Sequence, residues 1–300
     1  MMDWLKRVRN YWSSGSRTGY VMVAPAILVL LIFNIIPLFA SFGISLLDVN
    51  VLFNNPKFVG IQNYLEAFRT PRFWNSLKNT FIFTFLEVPC QMVIGLALAA
   101  VLTKNKWVNK LFRSIYFLPI ICSATAVGIM WQLILNSNIG YVSWMLRSIG
   151  LPKISFLKDP EIAMYTVIFM SVWRSFGIST IIFVAGMQEV PAELYESADL
   201  DGASKFREFF SITLPGIIPT IYFVLITRLI GSMQVFDLIF VTTGGGPNFR
   251  TETMVNYIYS RAFSSDTRLG YATAMSECLF AIILIISILF YRRMLKDEQA

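Results

Sequence analysis

The chain has 300 residues, of which 56% are hydrophobic and only 14% are charged, and its formal net charge is +7. About a quarter of the residues of a typical soluble domain are charged, so this composition predicts a membrane protein. Its basic residues lie at the ends of apolar runs rather than on one face, which argues against nucleic-acid binding. The sequence has no histidine, the usual general base and the commonest transition-metal ligand, which argues against a membrane enzyme.

The apolar runs predict six membrane spans, since a helix needs about 20 residues to cross a bilayer. The predicted spans are residues 20–45, 78–103, 111–135, 161–186, 215–241 and 269–291. The first run is too long for the apolar core of a signal peptide, so we interpret it as a retained span. Residues 1–19 before it predict a helix in the membrane interface, with an apolar side formed by Trp4, Leu5, Val8, Tyr11 and Trp12.

The loops predict the orientation of the chain. Those on the side that holds both termini are shorter and contain more lysine and arginine, which indicates the cytoplasmic side. Residues 46–77 are then an external loop, residues 78–291 the membrane core and residues 292–300 a cytoplasmic tail. Cys90, Cys122 and Cys278 lie in apolar runs without a CxxC pattern and are predicted to be buried free thiols.

A polar insert at residues 189–215 separates the fourth span from the fifth on the cytoplasmic side. Pro191 suits the first turn of a helix, and Glu193 then lies near the positive end of the helix dipole. Gly202 occupies a position where a helix ends with a positive φ. A second short helix is predicted to start at Ala203 or Ser204, and Leu214-Pro215 to end it. These features alone also fit a simple amphipathic connector.

The residues of the insert resemble the EAA signature of ABC importer permeases. The family pattern is Glu-Ala-Ala, three residues, Gly, nine residues and Ile-x-Leu-Pro, and it matches Glu196-Ser-Ala198, Gly202 and Ile212-Thr-Leu-Pro215. Only Ser197 departs from it, as one small residue for another. The chain also resembles the carbohydrate-type, MalF-like branch at Phe58-Val-Gly60, Asn63-Tyr64, Asn79-Thr80, Trp173, Gln188-Glu-Val-Pro191, Phe236-Asp237 and Thr243-Gly-Gly-Gly-Pro247.

The resemblance implies an all-α polytopic protein with six transmembrane helices, in the MetI-like permease fold with a cytoplasmic coupling helix. It implies a prokaryotic cell-membrane importer that pairs this chain with a second permease subunit, two ATPase subunits and an external solute-binding protein. The sequence has no GxxxxGK[ST] motif, so ATP and Mg²⁺ are expected on the ATPase and no cofactor on this chain. The coupling residues that the resemblance implies are Glu193, Tyr195, Glu196, Ala198, Asp201, Gly202, Ala203, Phe206, Leu214 and Pro215.

Ionisable residues inside the predicted spans are costly in lipid and must face protein or water. For Glu87, Glu277 and Asp237 we expect structural pairing. The sugar-contacting positions of the MalF-like family, carried over by spacing, fall on Ser171, Arg174, Ser175, Ile178, Arg228 and Ser232. Two guanidinium groups in one cavity suit an anion as well as hydroxyls, which raises the hypothesis of an acidic sugar or a glycerophosphodiester beside that of a neutral sugar.

The alternative reading is an ion-coupled secondary transporter of a small polar solute. Such transporters bind their substrate at helices broken near the middle of the membrane. The sequence predicts no paired broken spans, and the insert would have no purpose in that class. A carbohydrate importer permease is therefore the leading prediction.

Overall fold

The computed structural model describes residues 15–103, 107–264 and 267–297, and these residues are mainly helical. The predicted interfacial residues Trp4 to Trp12 lie outside this part of the chain. The long helices are α1 (Gly15–Leu30), α2 (Ile36–Ser45), α4 (Pro71–Leu102), α5 (Trp107–Ile121), α6 (Ala124–Ile134), α8 (Ala163–Glu189), α12 (Ile218–Met233), α14 (Met254–Phe263) and α15 (Leu269–Asp297). The short ones are α3 (Gln62–Arg69), α7 (Tyr141–Ser148), α9 (Ala192–Leu200), α10 (Lys205–Glu208), α11 (Leu214–Gly216) and α13 (Asp237–Thr242).

Two compact units make up the described chain. The first contains residues 15–67 and 261–277 without the two residues 265 and 266. A π-helical turn at Leu31–Ile35 joins α1 to α2, and the resulting span exposes its apolar side chains, as a surface against lipid requires. Two-residue strands, β1 (Leu47–Asp48) and β2 (Lys57–Phe58), pair antiparallel beyond it.

Polar contacts fix the part of the first unit near the two strands. The Asn63 side chain donates hydrogen bonds to the carbonyls of Ser45 at 2.8 Å and Leu47 at 2.9 Å. The Arg268 guanidinium forms an ion pair with Glu66. In the same unit the buried Glu277 carboxylate contacts the Ser41 hydroxyl, so the pairing expected for Glu277 is with a hydroxyl rather than with an arginine.

The second unit contains residues 68–260 and 278–297, without 104–106, and holds the main packing of the protein. Helix α8 is its centre: α4 and α5 pack along it, and α12 packs against α4. Two buried apolar clusters lie around α8, one near Phe83, Val167 and Met170 and the other near Phe183, Met187 and Ile217. Gly177 lets α5 cross α8 closely, because a Cβ at this position would overlap the carbonyl of Tyr116.

The third predicted span, residues 111–135, is not one continuous helix. Helices α5 and α6 meet at an angle of 95°, and together they form a bent pair beside five other candidate spans among the described residues. The break follows Pro119, and Ser123 starts the new helix by accepting a hydrogen bond from the Ala126 backbone N–H at 3.1 Å. Counted as one span, the bent pair gives the six spans that the sequence predicts.

The other helix ends differ by a few residues from the predicted spans. Helix α4 begins at Pro71, so it includes the last residues of the predicted external loop. The fifth span ends its first helix at Met233 and resumes at Asp237. Cys90 and Cys122 are exposed on the surface of the isolated chain, so the prediction that they are buried was also wrong.

Residues 243–253 form a loop next to the start of α4 in the second unit. Gly244 and Gly245 have positive φ values of 60° and 86°, which explains the glycines of this motif. Asn79 donates hydrogen bonds to the carbonyls of Phe249 at 2.8 Å and Glu252 at 3.0 Å. The Arg72 guanidinium forms two hydrogen bonds with the buried Glu252 carboxylate, at 2.8 and 2.6 Å. The loop is thereby tied to the start of α4.

Candidate functional site

A polar cavity of about 240 Å³ lies among α4, α8 and α12 in the second unit. Its polar and charged lining residues are Glu87, Gln91, Ser171, Arg174, Ser175, Arg228, Ser232, Gln234 and Asp237. They come together because each helix repeats its polar residues at three- or four-residue spacing, which puts them on one face. A polar cavity inside apolar helices marks a solute path in membrane proteins.

Glu87 is the buried acid of this cavity, with a side chain that is almost fully enclosed. Its carboxylate accepts hydrogen bonds from Ser175 at 3.0 Å, from Ser171 at 3.3 Å and from the Gln91 amide at 3.0 Å. Structural pairing was expected for Glu87, and its partners are hydroxyl and amide groups. Glu87 interacts with Arg228 electrostatically without forming a direct ion pair.

Arg174 and Arg228 contribute the positive charge of the cavity. Their Nε atoms are buried, and within the described chain neither Nε has a hydrogen-bond partner. No described acid lies within ion-pair distance of either guanidinium. A buried N–H donor without a partner is costly, so this arrangement favours a role other than structural pairing.

Five of the six predicted substrate-path residues line this cavity, namely Ser171, Arg174, Ser175, Arg228 and Ser232. Ile178 lies one helical turn further along α8 and is not part of the lining. Sequence reasoning assigned Glu87 and Asp237 to structural pairing and missed Gln91 and Gln234, whose signal was an amide side chain inside or next to an apolar run. Asp237 is exposed at the start of α13.

The polar insert folds as a helix, a glycine turn and a second helix. Helix α9 ends before Gly202, which has a φ of 73°, and the Ala203 N–H donates to the Ala198 carbonyl at 2.9 Å. Ser204 starts α10 by accepting a hydrogen bond from the Arg207 N–H at 3.3 Å. A π-helical turn at Phe209–Thr213 then continues into α11, which ends at Gly216, one residue after the predicted stop at Leu214-Pro215.

Lys205 connects the two helices of the insert. Its ammonium group forms ion pairs with Asp199 at 2.7 Å and with the buried Glu208 at 2.8 Å. The hydrogen bond from Lys205 lowers the pKa of the exposed Asp199, and the bonds to Asp199 and Glu208 raise the pKa of Lys205. On the inner side, Tyr195 and Thr213 share a hydrogen bond at 2.9 Å. The insert is therefore held as one body.

The predicted coupling residues divide by exposure. Glu193, Glu196, Asp201, Gly202, Phe206 and Pro215 are exposed, whereas Tyr195, Ala198, Ala203 and Leu214 are half-buried. Leu200 is 90% exposed and Phe206 is 75% exposed, one on each side of Gly202. The resemblance included Phe206 among the coupling residues, but sequence reasoning did not single out Leu200. Apolar side chains this exposed on a polar insert indicate a contact surface.

A second cavity in the chain has no functional assignment. A larger cavity of about 630 Å³ is lined by residues from the segments 132–138, 155–158 and 242–247, and Lys158 is the one charged side chain in that lining. It contains none of the predicted path residues. In the part of the chain that the structure describes, no group of three or more cysteine, aspartate or glutamate residues has a metal-binding arrangement.

The family of the chain follows from its sequence match. Residues 91–296 match the family described as "Binding-protein-dependent transport system inner membrane component". The chain belongs to this family. The match includes α8, the insert, α12 and most of α15, and it confirms the predicted ABC importer permease. It also overturns the alternative of an ion-coupled secondary transporter. The lack of broken spans was not a sound argument against that class, because α5 and α6 form a bent pair.

Relatives of this permease extend over nearly its whole length. It is 35% identical to the "Probable ABC transporter permease protein YurN" of Bacillus subtilis, over 90% of this chain and 93% of that one. It is 33% identical to the "Trehalose/maltose transport system permease protein MalF" of Thermococcus litoralis, over 92% of this chain and 93% of that one.

A solved structure of an ABC transporter confirms the fold. This permease is similar to a chain of a bacterial transporter described as "involved in the import of the acidic polysaccharide alginate". The TM-score is 0.83 with 26% identity, and the likeness covers 99% of both chains. The chain is thus a membrane-spanning transport subunit with the MetI-like permease fold.

Proposed function

We propose that this chain is a membrane subunit of an ATP-driven importer for a sugar or oligosaccharide. The observation that carries the proposal is the polar cavity between α8 and α12, the two spans that the insert connects. Its serine, glutamine and arginine side chains offer the donors and acceptors that sugar hydroxyls require. The trehalose/maltose relative and the alginate transporter support a carbohydrate as the substrate.

The other subunits follow from the same proposal. The chain pairs with a second permease, two cytoplasmic ATPase subunits that bind ATP and Mg²⁺, and an external solute-binding protein that delivers the sugar. The family description supports the binding protein. The insert then lies in the cytoplasm together with both termini, in the cell membrane of a prokaryote.

The insert is the contact for the ATPase in this proposal. Leu200 and Phe206 enter an apolar recess of the partner, while Glu193, Glu196 and Asp201 face basic residues around it. Because Lys205 joins the two helices, a movement of the ATPase displaces the whole insert. Its ends continue into α8 and α12, so the displacement opens or closes the cavity between them.

Uptake by the reconstituted transporter tests the proposed function. Proteoliposomes with internal ATP are expected to take up labelled oligosaccharide only when the binding protein is present outside, and vanadate is expected to stop the uptake. Uptake that persists without ATP and stops when an ionophore removes the ion gradient would contradict the proposal.

A Leu200→Asp variant tests the contact with the ATPase. Loss of a buried leucine contact is expected to lower co-purification of the ATPase by about tenfold or more. Leu151→Asp makes the same chemical change on a predicted external loop and is the matched control. Equal ATPase recovery with both variants would remove Leu200 from the contact.

A further inference from the structure

We propose that the cavity binds one negatively charged group of an acidic sugar between Arg174 and Arg228, and that Glu87 limits this group to a single charge. The inference rests on the proposed function and names the substrate class of the same site. The ligand chemistry is that of a monoanion, for which a uronate carboxylate is the planar form that fits a guanidinium best.

The first step is the hydrogen-bonding state of the two arginines. Each Nε atom is buried and lacks a partner within the described residues, although both side chains line the cavity. A neutral hydroxyl satisfies one donor at a time. A carboxylate accepts two parallel hydrogen bonds from a guanidinium and also neutralises its charge, so it compensates the cost of burial better than a hydroxyl does.

The second step is the position of the acid. The Glu87 carboxylate is held by Ser171, Ser175 and Gln91 on the cavity wall and forms no ion pair with either arginine. Both guanidinium groups therefore remain available to a ligand. Helix α4 keeps Glu87 in place, because the Gln91 amide lies one turn along the same helix.

The third step is the balance of charge. Arg174, Arg228 and Glu87 line the inner cavity, and with all three groups ionised their charges add up to one positive unit. Asp237 is exposed at the rim, where water and salt screen it. A monoanion brings the inner cavity to neutrality, whereas the dianion of a phosphate monoester leaves an uncompensated negative charge that is costly in a low-dielectric site.

Ligand binding to the purified complete transporter, without binding protein, tests this proposal. The probes are a uronate-containing trisaccharide, the same trisaccharide with its carboxyl groups reduced to alcohols, and a phosphate monoester of the reduced form. The wild type is expected to bind the uronate at least about tenfold more tightly than the reduced sugar, the scale of one charge-assisted hydrogen bond. An equal affinity for the two sugars would overturn the proposal.

Substitutions of the charged residues assign the preference to the cavity. Arg174→Gln and Arg228→Gln are each expected to reduce the ratio of uronate to neutral affinity about tenfold, and Arg228→Lys is expected to keep part of it. Arg250→Gln, an exposed outer position, is the matched control and leaves the ratio unchanged. A ratio that stays unchanged in both cavity variants, or an equal loss of both ligands, would contradict the assignment.

Glu87→Gln tests the limit of one charge. The glutamine keeps the size of the side chain, and the Gln91 amide can rotate so that its unpartnered Oε1 accepts from the new NH₂ group. The phosphate monoester is expected to gain about tenfold in affinity relative to the uronate. No relative gain would show that Glu87 does not set the charge. Vanadate-sensitive uptake of neutral oligosaccharide, measured separately, keeps a failure here distinct from a failure of the proposed function.

Discussion

Two sets of arginines in the second unit differ in their partners. Arg72 forms two hydrogen bonds with Glu252, and its guanidinium lies 4.0 Å from the ring centroid of Phe249. Arg174 and Arg228 are also partly buried, yet their Nε atoms have no partner in the described chain. Arg72 therefore fixes a loop of its own chain, whereas Arg174 and Arg228 line a cavity.

This difference in partners distinguishes a buried arginine with a structural role from a buried arginine with a functional role. A buried arginine that meets an acid and aromatic rings contributes to the stability of its own chain, since its donors are used. A buried arginine with unused donors lowers the stability of the chain, and we interpret its role as binding a ligand. Stability measurements on matched variants are therefore expected to give large effects at Arg72 and Glu252 and small ones at the cavity.

The largest effect is expected for Glu252→Ala. Removing the acid leaves the Arg72 guanidinium without its hydrogen-bonding partner beside apolar rings, at a cost of about 3 kcal/mol in the free energy of unfolding. Unfolding in mixed detergent micelles measures this cost. Glu161→Ala, at an exposed acid, is the control. A decrease of less than about 1 kcal/mol in the free energy of unfolding for Glu252→Ala would contradict the proposed difference between Arg72 and the cavity arginines.

A smaller effect is expected for Asn79→Ala. The amide of Asn79 donates to the carbonyls of both Phe249 and Glu252. The Phe249 carbonyl keeps its bond from Asn75, but the Glu252 carbonyl loses the Asn79 amide in the buried interior, at a cost of about 1–2 kcal/mol. Asn75→Ala removes one hydrogen bond to Phe249 from a less buried position and is expected to cost less. The same unfolding assay compares the two, and equal losses would contradict the role given to Asn79.

The paired arginine of the first unit, Arg268, predicts a small dependence of stability on pH. Its hydrogen bond with Glu66 lowers the pKa of this carboxyl group below its ordinary value of about 4.3. The stabilisation is complete above that ordinary value and disappears as the pH falls through the lowered pKa. Because Glu66 is half-exposed, the change is expected to stay below about 1 kcal/mol. Glu66→Gln is expected to remove this step from the pH profile, and an unchanged profile would exclude the pair.

The smallest effect on stability is expected at the cavity. Arg174→Gln removes a guanidinium with unused donors, so the free energy of unfolding is expected to change by less than about 0.5 kcal/mol or to increase. Arg72→Gln is the matched change at a paired arginine. If Arg174→Gln lowered the free energy of unfolding as much as Arg72→Gln does, Arg174 would have a structural partner, and the proposed difference between the two arginines would be wrong.

Much of this architecture is predictable from the sequence, because bilayer thickness and hydrogen bonding within helices leave few alternatives. The insert was predictable in particular: Gly202 has the positive φ that its place in the pattern required. The break between α5 and α6 was not, since it depends on the Ser123 hydrogen bond rather than on hydropathy. The exposure of Leu200 was also missed, because tertiary packing and not helix periodicity decides which apolar residues of a short helix are covered.

The cavity was predictable only in part. The positions carried over by spacing from the resemblance included Ser171, Arg174 and Arg228, which line one cavity, but also Ile178, which lies outside the lining. The partners of Glu87 could not be chosen from the sequence. The sequence offers both arginines and serines as possible partners of Glu87. The packing of α4 against α8 brings the serines within hydrogen-bond distance of its carboxylate.

A structure of the complete transporter with a bound uronate oligosaccharide tests the central claim most directly. We expect the sugar between α8 and α12, with its carboxylate within about 3.2 Å of guanidinium nitrogens of Arg174 and Arg228. Sugar bound elsewhere in the membrane, with these two arginines paired to protein carboxylates instead, would contradict the account.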